Sequence, residues 1–157
     1  MFRSFVFATA LLAPSILSAA PASHFMKDAI QGDYSEATLG KLIQQRASSP
    51  QVRDFGSTLV KDHSAGLAQA QEVAGRLHLK IRPSMMPEAR TELAKLRHMR
   101  GRAFDREVKR YMVQDHEKDL TEFKKQAKGG DRATAAFAAA TIPVLQKHLA
   151  IARSIQS

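Results

Sequence analysis

The sequence predicts an all-α fold, an up-down-up-down four-helix bundle with a short extra helix in the link between its second and third long helices. Three observations point there. Apolar residues recur at three- and four-residue steps along four long stretches. Hydrophobic residues make up 44% of 157, with Ala dominant and Trp absent, a balance that suits packed helices. No stretch alternates apolar and polar residues as a half-buried strand would. The length is enough for one domain with a sizeable core.

Residues 1–22 read as a cleaved signal peptide and 23–157 as the single bundle domain. Arg3 supplies the positive start, Phe5 to Leu17 is a short apolar run broken by Pro14, and Ala20-Pro21-Ala22 fits the small-x-small rule for cleavage after Ala22. Cleavage after Ala20 is the alternative, and an uncleaved anchor the competing reading. The apolar run is shorter than the ~20 residues of a membrane span, and no later stretch reads as apolar enough to span. The absence of Cys excludes disulfides, thiolate metal sites and a lipid anchor. The mature chain is thus expected in the periplasm or secreted, with no transmembrane span.

Each helix then follows from its own signals. The first runs from about His24 to Ala47, with Phe25, Ala29, Gly32, Glu36, Leu39, Gly40 and Ile43 on one stripe. Ser48-Ser49-Pro50 breaks it and starts the second, with Ser49 as N-cap and Pro50 as first helical residue. The second runs to about Leu77 along Val52, Phe55, Gly56, Leu59, His63, Gly66, Ala70, Val73 and Leu77. Pro83 and Pro87 mark a link, with a short helix over Pro87 to Arg97 and an interruption at Gly101. The third spans about Ala103 to Ala127 along Phe104, Val108, Met112, His116, Leu120 and Phe123. Gly129-Gly130-Asp131 is a turn, with Asp131 as N-cap of the fourth helix. That helix carries Phe137, Thr141, Leu145, His148, Ala152 and Ile155, and Pro143 inside it predicts a kink.

Each stripe holds one metal-capable residue: Glu36, His63, His116 and His148. Glu36 lies 11 residues before Ala47 and His63 13 after Pro50, both about 17–20 Å from the same turn. His116 lies 11 before Ala127 and His148 16 after Arg132, which puts His148 about 7 Å deeper. Within the error of the helix ends the four converge at mid-bundle. Imidazoles and a carboxylate suit Zn²⁺ or Cu²⁺, with Fe²⁺ and Mn²⁺ as further candidates. Asp33, Asp62, Asp115 and Asp119 lie near enough to accept an imidazole N–H. The competing reading is a metal-free polar network in which Glu36 hydrogen-bonds the histidines. Met112 reads as core filler, and His24, His78 and His98 as solvated.

The formal charge is +9, or +8 once Arg3 is removed with residues 1–22. The excess gathers between Lys95 and Arg110. Arg97, Arg100, Arg102, Arg106, Lys109 and Arg110, with Lys80 and Arg82, form a candidate patch for an anionic envelope component, lipid or polymer. Export argues against nucleic acid as partner. There is no Gly-rich phosphate loop, Cys nucleophile, G-x-S-x-G elbow or His-Glu-x-x-His pair, so an enzyme with an open metal position ranks last.

Three phrases resemble a known family: "GDYSEATLGKLIQQRASSPQVRDFGSTLVKDHS" around Glu36 and His63, "FDREVKRYMVQDHEKDLTEFKKQA" around His116, and "TIPVLQKHLAIA" around His148. They are similar to the bacterial exported family catalogued as domain of unknown function 4142, and the resemblance covers about Phe25 to Ile155. It implies a ferritin-like helical bundle and little about activity. Di-iron sites in ferritin-like bundles use Glu-x-x-His pairs. Here the residues three before His63, His116 and His148 are Val60, Val113 and Leu145. A mononuclear Glu/His₃ site is the most these residues support.

Overall fold

The computed structural model describes residues 19–156, and side chains from Ala22 onward. Most of the expected signal peptide lies outside these residues. Five helices follow in order: α1 (Ala19–Arg46), α2 (Pro50–Arg76), α3 (Pro87–Arg97), α4 (Gly101–Gly129) and α5 (Arg132–Ser154). No described residue is in a strand.

Local chemistry sets the boundaries. The Ser49 side chain accepts from the Val52 N–H at 3.2 Å, with Pro50 at the first helical position. Asp131 caps α5 by accepting from the N–H groups of Ala133 and Thr134 at 3.0 and 3.2 Å. His78, at φ 56°, ends α2 in the left-handed region. Gly101 takes φ 59°, a conformation cheap only for glycine. It therefore opens α4 where an interruption was expected. α5 continues unbroken through Pro143.

The order of the long helices differs from the expected up-down-up-down. The link after α2 does not simply cap an end. It runs beside α1: Gln31 Nε2 donates to Ser84 Oγ, the Met86 N–H to Ser35 Oγ, and Arg46 to the Arg97 carbonyl. This carries the chain back to the end where α2 began. There Asp105, 4% exposed, accepts from the Ser48 and Ser49 N–H groups at 3.0 and 2.9 Å and from the Ser48 hydroxyl at 2.5 Å. α4 thus starts beside the start of α2 and runs the same way, and α5 returns. Lys109 closes that end by donating to the Ile155 carbonyl at 2.7 Å. At the other end Phe25, Phe123 and Phe137 cluster with ring centroids 5.1–6.2 Å apart.

α1 packs mainly on α2 and α4 on α5, and the two hairpins join chiefly through α2 and α5. The α1–α2 crossing is close because Gly40 and Gly56 face each other there. A Cβ at Gly56 would lie 2.6 Å from the Gln44 nitrogen and 2.9 Å from the Gly40 oxygen. Two large apolar cores result, one around Phe55 and Phe104, the other around Met26, Ile30 and Val73, with a small third cluster of Leu120, Leu145 and Leu149.

The expectation that no later segment is apolar enough to span a membrane is corrected by α5, whose 23 residues pass by length and composition. Much of that apolarity is Ala methyl groups. In the bundle the helix buries Phe137, Leu145, Leu149 and Ala152 against its neighbours and carries His148 inward, as a core helix does.

A buried histidine and carboxylate cluster

Glu36, His63, His116 and His148 come together between the two cores, each at most 5% exposed. The three imidazoles contact one another, with ring centroids 5.0, 5.3 and 5.9 Å apart. One nitrogen from each lies within 4.8 Å of the others. His148 thus sits with the others, and the extra depth of about 7 Å counted along the chain is closed. The 4–5 turn sits at the opposite end of the bundle from the 1–2 turn, and α4 extends two residues past Ala127. Depth counted from different turns still meets at the middle.

The Gly40–Gly56 crossing sets the register. Asp33 lies seven residues before Gly40 and His63 seven after Gly56, so antiparallel helices bring them level. Asp33 Oδ1 sits 2.8 Å from His63 Nδ1. Gly66 makes room for this contact, because a Cβ there would lie 2.8 and 2.9 Å from the two Asp33 oxygens. We expect Gly66→Ala to push Asp33 off His63 and to lower the affinity for any ion that His63 takes up by roughly 10- to 100-fold, the usual effect of losing an outer partner of a ligating histidine. Competition titration with a chelator reads this; unchanged affinity would show that the Asp33 contact is dispensable.

The ring protons follow from the acceptors. His116 Nδ1 lies 2.9 Å from the Met112 carbonyl oxygen, which can only accept. Its Nε2 is then a lone pair in the neutral ring. His148 Nε2 lies 2.9 Å from Asp62 Oδ2. Burial pushes Asp62 up, but hydrogen bonds from Lys147 and His148 outweigh it and hold the carboxyl below its ordinary value. Asp62 is thus an ionised acceptor, and His148 Nδ1 is also a lone pair. These two lone pairs face each other at 3.3 Å. A proton between them would charge a ring, and burial opposes that: it is the leading cause holding His116 down to about 3, and His63 and His148 down to about 4.

His63 Nε2 and both Glu36 oxygens are buried with no hydrogen-bond partner, and Nε2 lies 3.9 Å from Glu36 Oε2. Burial, then the Asp115 carboxylate beside it, holds Glu36 well above its ordinary value. The expected network in which Glu36 hydrogen-bonds the histidines is therefore absent. Asp115 instead approaches Glu36 and His116, one donor atom from each lying within 4.8 Å of the others. Burial pushes Asp119 up to about 8, Asp115 adding to it, and burial pushes Asp33 to the same value.

All four expected outer carboxylates thus surround the site, but with different partners than chain position suggests. Asp62, expected to flank His63, serves His148 on another helix. Asp119 makes no hydrogen bond to an imidazole among the described residues and stands instead on the wall of a cavity that His63 also lines. The roles of the Met112 carbonyl and of Gly66 have no mark in a single sequence.

A donor set of three imidazole nitrogens and a carboxylate suits a borderline transition metal. A tetrahedral ion with bonds of about 2.0–2.1 Å holds its ligand atoms about 3.3–3.4 Å apart. The His116–His148 separation already matches, and the His63–Glu36 pair, at 3.9 Å, is about half an ångström wide. Glu36 groups most closely with His116 and Asp115, so holding all four donors on one ion requires the side chains to draw together.

The candidate anion patch divides. Arg97, Arg100, Arg102 and Arg106 are exposed around the α3–α4 corner. Lys109 is engaged by Ile155, and Arg110 by Glu107 and Glu92. Lys80 and Arg82 lie at the start of the link; their neighbours Leu79 and Ile81 pack with the core at the opposite end, so they do not extend the patch.

No curated protein and no solved structure matches the chain. The profile of the family described as Domain of unknown function (DUF4142) matches residues 9–155, nearly the whole chain, and the protein belongs to that family.

Proposed function

We propose that the protein is an exported helical bundle that binds one transition-metal ion through Glu36, His63, His116 and His148, for storage, buffering or sensing. The observation that carries this is the approach of His116 Nε2 to His148 Nδ1, while the other nitrogen of each ring faces an acceptor, the Met112 carbonyl and the Asp62 carboxylate, which leaves both facing nitrogens as lone pairs in the neutral rings. Two acceptors 3.3 Å apart in a buried site repel unless a cation or a proton joins them, and burial disfavours the proton. The unpartnered His63 Nε2 and Glu36 carboxylate complete the set. Zn²⁺ and Cu²⁺ fit an N₃O donor set best, Fe²⁺ less well. Four protein ligands close a tetrahedral site, which favours holding an ion over turning over a substrate. The single long crossover is also the connectivity of ferritin-like bundles, which supports that kinship. Export rests on the reading of residues 1–22.

Elemental analysis after equilibration with Zn²⁺, Cu²⁺, Fe²⁺ and Mn²⁺ tests the reading. We expect about one tightly held ion per chain, lost in the His63→Ala/His116→Ala double variant. Retention of no ion by the parent chain, or equal retention by the variant, would sink it.

A second reading rests on a separate observation. Arg97, Arg100, Arg102 and Arg106 are exposed, and none forms an ion pair with a carboxylate among the described residues. As a docking patch for an anionic envelope surface, this corner would bind in a salt-dependent way, since exposed charges are screened over about 8 Å at physiological ionic strength. Neutralising Arg97, Arg100 and Arg102 to Gln should weaken adsorption to vesicles containing anionic lipid. Adsorption that is unchanged would remove the patch.

A further inference from the structure

A cavity of about 440 Å³ lies along the seam between α1 and α4. This is the seam where the bundle is least tightly joined, because α1 packs mainly on α2 and α4 on α5. Successive turns of both helices line it. Asp28 and Glu122 stand toward the bundle end, Asp33 and Asp119 deeper, and His63 lies on its inner wall. His63 is 5% exposed, its Nε2 has no partner, and it belongs to the ligand set. The cavity therefore reaches one of the four proposed ligands.

The chain carries a formal +9, yet the outer part of the cavity gathers the carboxyl side chains of Asp28 and Glu122, with the buried carboxyl groups of Asp33 and Asp119 behind them and Lys118 and Lys125 beside them. Lys118 is already turned to Glu88, 3.4 Å away. Carboxylates at the mouth of a cleft walled by apolar groups raise the local concentration of cations there. Phe25, Phe123 and Leu145 supply such walls here. At the mouth, His24 Nε2 lies 3.4 Å from Asp28 Oδ2 on largely exposed side chains, an arrangement able to take an ion from water before it moves inward. A second cavity reaches Asp115, but its wall includes Arg110 and Lys118 and none of the four proposed ligands.

We propose that the α1–α4 cavity is the path by which a divalent cation enters and leaves the site. This rests on the metal-binding reading above and adds the route and the residues that set its rate. Asp28 and Glu122 attract the ion electrostatically, and Gly32 keeps the passage open. Gly32 lines the cavity, and a Cβ there meets nothing within 4 Å. A larger side chain at this position starts in open space and can project into the passage.

Stopped-flow uptake of Zn²⁺ by the metal-free chain tests the route, with stoichiometry measured in parallel. For Asp28→Asn/Glu122→Gln we expect association about 3- to 10-fold slower at low salt, with the difference vanishing at high salt. For Gly32→Phe we expect uptake and chelator-driven release to slow together by at least about 10-fold at every salt concentration, with one ion still bound at equilibrium. Slowing of both rates at unchanged stoichiometry is what a blocked passage produces and a damaged ligand set does not. Unchanged rates in both variants, with full stoichiometry, overturn the route alone. A parent chain that takes up no ion overturns the route together with the metal-binding reading.

Discussion

Replacing Glu36 by Gln is expected to stabilise the metal-free protein and to weaken metal binding by about 100-fold or more, beyond the 10- to 100-fold typical of an outer partner. The two effects share one cause. Glu36 is 2% exposed, and neither oxygen has a hydrogen-bond partner. A buried polar group left unpaired costs about 1–3 kcal/mol, and a carboxylate costs more as it ionises. Burial and the neighbouring carboxylates raise the pKa of Glu36, so the folded metal-free chain keeps a proton that the unfolded chain releases near pH 4. This group's contribution is full below that pH and falls as pH rises toward the folded value, by up to about 1.4 kcal/mol per pH unit. Gln removes that loss.

Asp33 and Asp119, pushed up to about 8, act in the same direction. The three imidazoles, pushed down to about 3 or 4, act oppositely: their contribution is full above about pH 6.5 and is lost as pH falls. Between about pH 6.5 and 8 only the carboxyl groups still titrate, so the metal-free protein should lose stability across that window. Binding an ion expels the protons, so the loaded protein should gain relative to the metal-free one as pH rises. An ion at 1,000 times its Kd adds about 4 kcal/mol. Calorimetric scans at pH 6.5 and 8, with and without Zn²⁺, read both effects. If the Gln variant is less stable than the parent at both pH values and still holds an ion, Glu36 has no place in the site.

Gly56→Ala is expected to destabilise the fold by about 1–3 kcal/mol, the usual cost of overpacking, lowering Tm by roughly 3–10 °C. The added methyl would lie 2.6 Å from the Gln44 nitrogen and 2.9 Å from the Gly40 oxygen. Both are backbone atoms of α1, so no rotamer change relieves the clash and the helices must part. Because Asp33 and His63 are level only through this crossing, metal affinity should fall with stability. Gly75→Ala is the control. A Cβ there meets nothing within 4 Å, and replacing a helical Gly by Ala typically stabilises by about 0.5–1 kcal/mol. Equal effects of the two substitutions would mean that helix propensity, not close approach, decides the role of Gly56.

Period and punctuation alone determined much of this protein. A 3.6-residue repeat fixes which face of a helix each side chain occupies, so Glu36, His63, His116 and His148 were legible as the polar members of four apolar stripes. Caps and turn residues act within a few residues, so Ser49-Pro50 and Gly130-Asp131 located their turns. Gly101 marks the break before α4, but that its left-handed φ opens the helix is not visible in its neighbours. What lies across from a residue depends on which helices meet and in which direction, and here the link's run beside α1 decides both. That run makes α4 parallel to α2 and hands Asp62 to His148 across 86 residues of chain. It also leaves open the α1–α4 seam that leads to His63. Local spacing gives a side chain its face; only the packed helices give it a partner.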